Sequence, residues 1–138
     1  MKIRDEEPLI TWKNIIVDVG NTLLDIQDKL ICFKFGKTKN PGSREYDYLC
    51  EGYNHFCIIG TGSSEMSNLG EKILVKHFVN HNVLKKWIQN KRDGGAGNPE
   101  ADTLYIAINS NETNIDDIDG TVLPNYYPIN LNNIKEDE

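Results

Sequence analysis

The sequence predicts an α+β domain: a small three-stranded antiparallel sheet flanked by helices, with an extra strand and an acidic C-terminal tail. Three observations predict it. Short runs of branched and aromatic residues, "TLLDI", "LICFKF" and "HFCIIG", are bounded by turn residues. An apolar period of 3.6 residues runs from Leu69 to about Asn80. Beyond Ile108 the chain is acidic, rich in Asn and without periodicity.

In chain order, "WKNIIVDV" reads as a further strand, and "TLLDI" and "LICFKF", separated by the polar "QDK", read as an antiparallel hairpin. Gly36 ends the second hairpin strand, and "KTKNPG" supplies turn residues. Ser43 to Gly52 is a short helix, "HFCIIG" a third strand and "TGSSEMSN" a loop. The helix from Leu69 is followed by a second one in "VLKKWIQNK", which "RDGGAGNP" stops. "TLYIAI" is the last strand.

A chain of 138 residues fits one domain, assigned to residues 1–108, with residues 109–138 as a loose or surface-wrapped tail that Tyr126, Tyr127 and Pro128 could tack down. Nothing is apolar for long enough to span a bilayer, and acids occupy the place of a signal peptide's apolar core. The expectation is an intracellular protein, cytoplasmic or nuclear, neither secreted nor membrane-bound. Cys32, Cys50 and Cys57 include no Cys-x-x-Cys pair, so buried thiols are expected rather than a disulfide framework or a closed zinc site. The net charge of −6 is unevenly spread: residues 27–97 carry +4, and residues 98–138 carry −8. A cationic middle is compatible with a phosphate-binding face, and equally with a solvated mixed surface.

Read in order, Phe33-Lys34-Phe35-Gly36-Lys37-Thr38, then Arg44, Tyr48, Glu71, Asn90 and the "GGAG" loop resemble the GIY-YIG nuclease superfamily. The likeness is to variants whose second motif reads aromatic-Lys-Ile-Gly-Lys-Thr, and it covers about residues 22–97. It implies a metal-dependent endonuclease that hydrolyses phosphodiester bonds of nucleic acid, with DNA as partner and Mg2+ or another divalent cation as cofactor. The residues so implied as catalytic are Lys37, Arg44, Tyr48 and Glu71, with Glu71 as metal ligand. Gly36, Thr38, Lys39 and Asn90 are implied as substrate-binding. The family also places a tyrosine on its first hairpin strand, as a general base or a positioner of water, and "TLLDI" has none. A catalytically inactive module that binds nucleic acid or a protein partner is therefore the alternative.

The residue chemistry can be weighed beside the resemblance. Arg44 could hold a phosphate oxygen with its planar fork, or be an exposed helix arginine paired with Asp47. Setting Glu71 at zero and stepping about 100° per residue puts Val75 at about +40°, Phe78 at about −20° and Leu74 at about −60°. The carboxylate is thus centred on the apolar stripe, with Lys72 and Lys76 on the far flank. Buried there, it must be neutralised, hydrogen-bonded or metal-bound. "NLGE" is equally a capping box in which Asn68 caps the helix and Glu71 reaches back. Asn90 could position a phosphate or end a helix, and His77 and His81 read as surface histidines.

Overall fold

The segment expected to hold two strands, "WKNIIVDV" and "TLLDI", is a single helix, α1 (Trp12–Asp25). Its Ile-Ile-Val run favours a strand only locally. Trp12, Ile15, Val19 and Leu23 recur every three to four residues and are all buried on one face. Thr11 and Asn14 close a reciprocal cap, each side chain accepting the other's backbone N–H at 3.1 Å. The computed structural model in which this is seen describes residues 10–90, 100–111, 123–124 and 126–135.

After a 3-10 turn at Gln27–Lys29 come β1 (Leu30–Thr38), α2 (Pro41–Cys50), β2 (His55–Thr61) and α3 (Ser64–Val79). A second 3-10 turn at Leu84–Lys86 precedes β3 (Thr103–Ser110), β4 (Ile129–Asn130) and a last 3-10 turn at Leu131–Asn133. The sheet order is β1-β3-β2-β4. β3 pairs antiparallel with β1 and β2, and β4 runs parallel to β2. A three-stranded antiparallel sheet with one added strand is therefore present, but "TLLDI" is not in it. The partner of β1 is β3, which begins with "TLYIAI" at Thr103, two helices and a strand further along the chain.

β3 is the central strand and is buried almost throughout. On one face of the sheet α1 and α3 close the main core, where Phe35 stacks on Phe78 at 5.5 Å and Phe33 meets both edge-on. On the other face α2 covers a smaller cluster of Tyr48, Tyr105 and Ala107, flanked by Tyr53 and Phe56.

α3 starts five residues before Leu69, because Ser63 accepts a bond from Met66 N–H at 3.1 Å and caps it. The expected loop "TGSSEMSN" is thus half helix. Asn68 lies inside α3, so the Asn68–Glu71 capping box does not exist. The helix expected in "VLKKWIQNK" is also absent from its described part: beyond the turn, residues 87–90 run along the outer edge of β1. Phe33 N–H donates to Trp87 O at 3.0 Å, and Gln89 N–H to Phe33 O at 2.8 Å. An otherwise open sheet edge is thereby covered.

Part of the tail lies outside the described residues. Residues 126–135 fold back onto the domain, with Leu131 fully buried. Tyr126 and Tyr127 both donate to one carboxylate oxygen of Asp18, at 2.6 and 2.8 Å, and so tack this segment to α1. Asn132 Oδ1 accepts Ser63 N–H at 2.8 Å, and Lys135 N–H donates to Ile10 O at 2.8 Å. β4 crosses Gly60 so closely that a Cβ there would meet Ile129 O and the Leu131 side chain. Among the described residues, no helix is long and apolar enough to cross a membrane.

Candidate functional site

Side chains alternate along β1, so Lys34 and Gly36 share one face and Phe33, Phe35 and Lys37 the other. In the ladder Gly36 stands opposite Tyr105, and Lys34 opposite Ala107. The Tyr105 ring occupies the space over Gly36: a Cβ on that residue would overlap the tyrosine's hydroxyl and ring. The motif glycine is there to admit a tyrosine.

α2 supplies the next groups. Asn40 accepts Ser43 N–H at 3.2 Å, and Pro41 occupies the first helical position, which fixes where α2 begins. From that start Arg44 and Tyr48, four residues apart, lie one turn from each other on one side of the helix. The Tyr48 and Tyr105 hydroxyls are 3.1 Å apart, and the rings are 7% and 2% exposed. Phe56 packs on Tyr105 with ring centres 4.7 Å apart.

The Tyr105 hydroxyl has its pKa raised, chiefly by burial and then by its bond with Tyr48; Arg44 pulls it down and Glu71 pushes it up. Arg44 stands one turn from Tyr48 on α2, whereas Glu71 is carried by α3, which packs on the opposite face of the sheet from the tyrosine pair. Arg44 keeps a long, exposed pair with Asp47 at 3.7 Å, which has little hold on it. Glu71 is 7% exposed, in the buried stripe with Leu74, Val75 and Phe78, while Lys72 and Lys76 face solvent. The wheel placed it correctly.

Other expected residues are employed differently. Lys37 points to the α3 face, away from the tyrosine pair, and donates to Asn68 Oδ1. Thr38 accepts Asn40 N–H at 3.0 Å at the β1–α2 junction. Lys39 pairs with Glu100 at 3.2 Å on the surface. Asn90 spends its amide on β1: Oδ1 accepts Phe35 N–H at 2.8 Å and Nδ2 donates to Phe35 O at 3.0 Å. The "GGAG" loop lies outside the described residues. The histidines border an open depression of about 610 Å³ beside Ile73 and Lys76. His81 Nδ1 accepts the N–H groups of Val83 and Leu84 at 3.1 and 3.0 Å, so its neutral ring carries the proton on Nε2 and is poorly disposed to share a metal with His77.

Sequence reasoning missed Tyr105. The available signal was strand alternation: "TLYIAI" carries a tyrosine that falls on the same face as Gly36 when the two strands pair. Among the described residues, no three His, Cys, Asp or Glu side chains gather as a metal cage would require. The Glu71 carboxylate is of the oxygen-donor type that suits magnesium, which is commonly held by one or two carboxylates and keeps several waters. No model of a known family, no curated protein and no solved structure matches the chain.

Proposed function

We propose that the chain is a metal-dependent endonuclease hydrolysing nucleic-acid phosphodiester bonds, with DNA as substrate. One observation carries the reading: a tyrosine on the strand beside the Gly36 strand packs over that glycine and bonds to Tyr48, one helical turn from Arg44. The family resemblance implies a tyrosine on a strand antiparallel to the glycine strand. β3 supplies one from the far end of the chain, and this supports the reading although the order along the chain differs.

Arg44 is suited to clamp the scissile phosphate and the charge that grows on it, because its guanidinium is planar and permanently charged. The Tyr105 phenol, protonated near neutral pH as any tyrosine is and held further from ionising by its burial, would orient the attacking water by hydrogen bonding rather than as a phenolate. Tyr48 holds that hydroxyl in place. Glu71 would hold the divalent ion, which when bound activates water and stabilises the leaving oxygen. The water oxygen bonds to phosphorus as the bond from phosphorus to the departing sugar oxygen breaks; that oxygen leaves with the bonding electron pair and takes up, by way of solvent, the proton the water gives up.

The test is nicking of supercoiled plasmid with Mg2+ by the wild type, Glu71→Ala and Tyr105→Phe. Equal nicking by all three overturns the assignment. A second reading, favoured by the near-complete burial of both tyrosines, is a module that binds nucleic acid without cutting it. Binding that weakens steeply with salt, with no cleavage under any divalent metal, would select that reading.

A further inference from the structure

Lys37 follows Gly36 directly, yet its ammonium lies on the opposite face of the sheet from the tyrosine pair and is almost sealed from solvent, the residue being 7% exposed. Burying a cation is costly unless it is hydrogen-bonded, and an apolar side chain of like volume would fill the place as well. Its partner is Asn68 Oδ1 on α3. Asn is an indifferent helix former in mid-helix, and Asn68 stands one turn before Glu71 on the same side of the helix. Between them Gly70 seats α3 hard against the core, where a Cβ would overlap the Trp12 ring and approach Leu104. Apolar packing sets how deep α3 lies at this level. The Lys37–Asn68 bond is directional and ties α3 to β1 at this level.

We propose that Lys37 is a positioning residue: through Asn68 it fixes the turn of α3 that carries Glu71. Because neighbouring strand residues face opposite ways, the Gly36–Lys37 peptide joins the tyrosine face of the sheet to the carboxylate helix. The task given to Glu71 rests on the nuclease reading; the strut rests on geometry alone.

The experiment is a double-mutant cycle with Lys37→Met, Asn68→Leu and the pair, all near-isosteric so that the fold is kept. Three readouts are taken: amide exchange over residues 67–75, the rise in Tm caused by Mg2+, and kcat and KM for plasmid nicking. Each single change should speed exchange in that stretch, shrink the Mg2+-induced rise in Tm, and lower kcat by about 10- to 100-fold at unchanged KM, as expected when a metal ligand loses its supporting bond. The pair should be no worse than either single change. Loss of activity in Lys37→Met with full activity in Asn68→Leu would mean that Lys37 touches substrate, and would overturn the proposal, as would additive effects or unaltered exchange. If the wild type nicks nothing while the exchange effects are non-additive, the strut is supported and the nuclease reading falls.

Discussion

Replacing Gly36 by Ala tests the centre of the site. The added methyl would overlap the Tyr105 hydroxyl and Cζ and come to 3.0 Å from Cε1. The ring has little room to retreat, since Phe56 lies 4.7 Å away and Tyr48 5.7 Å away, centre to centre. Overpacking of this kind costs about 1–3 kcal/mol. If the ring swings out, the Tyr48–Tyr105 bond, a further ~1 kcal/mol, is lost. Against this, alanine restricts the unfolded chain and returns about 0.4–1 kcal/mol. The net is a loss of about 2 kcal/mol, which urea denaturation would show as a midpoint lower by about 1 M at an unchanged slope. In a Tyr105→Val background the ring is gone, and Gly36→Ala should be neutral or mildly stabilising. A Gly36→Ala protein as stable as wild type, or one whose penalty persists in the Tyr105→Val background, would refute the claim that this glycine exists to seat that tyrosine.

Tyr105→Phe keeps the packing but strips Tyr48 of its buried partner, so it should destabilise by about 1 kcal/mol in urea denaturation while reducing nicking far more than stability. Leu131→Ala hollows the contact beneath β4 and should cost about 2–5 kcal/mol by the same assay; a loss within error would mean that residues 126–135 do not contribute to the core. Tyr126 has its pKa raised to about 12 by its bond to Asp18 and then by burial. A raised pKa means that the folded state prefers the protonated phenol, so this contribution is complete below pH 10 and disappears as pH climbs toward 12; absorbance titration of Asp18→Asn should find Tyr126 ionising nearer 10. For His77 the sign is opposite. Burial and then His81 lower its pKa below 6.5, so its contribution is complete above pH 6.5 and declines as the solution is acidified. NMR titration should show its pKa rising in His81→Ala.

Local pattern was sufficient wherever neighbours in sequence decide the outcome. β2 and β3 were legible from their branched and aromatic runs, and the buried stripe of α3, with Glu71 at its centre, from a wheel alone. α1 departs from the strand expectation because Ile15, Ile16 and Val17 look strand-like over three residues, whereas the four-step recurrence of Ile15, Val19 and Leu23 decides over nine. The helix expected in "VLKKWIQNK" failed for a tertiary reason. β1 is an edge strand, and Trp87, Gln89 and Asn90 are drawn into pairing with it, a demand that no local propensity reveals. The start of α3 was hidden by competition between two caps, Ser63 and Asn68, three residues from Met66 and Glu71 respectively. The earlier cap gains from Asn132, which binds Ser63 N–H from the C-terminal segment.

The tyrosine was invisible for a different reason. A motif read along the chain assumes that residues which meet in space keep their order in sequence, and a hairpin enforces that order only when its two strands are consecutive. The proposed site asks for something weaker: the Tyr105 hydroxyl held over Gly36 on the neighbouring antiparallel strand, in register with it. Such a strand can be reached by a short turn from one side or, as with β3, after two more helices and another strand, because pairing between Gly36 and Tyr105 depends on their ladder position and not on the length of chain joining them. The alternation rule then does the rest. Once "TLYIAI" is placed beside "FKFGKT" in antiparallel register, the tyrosine and the glycine fall on one face and Lys37 on the other. On the proposed nuclease reading, the departure at "TLLDI" would concern the order of the motifs, and the loss or persistence of nicking in Tyr105→Phe tests that reading.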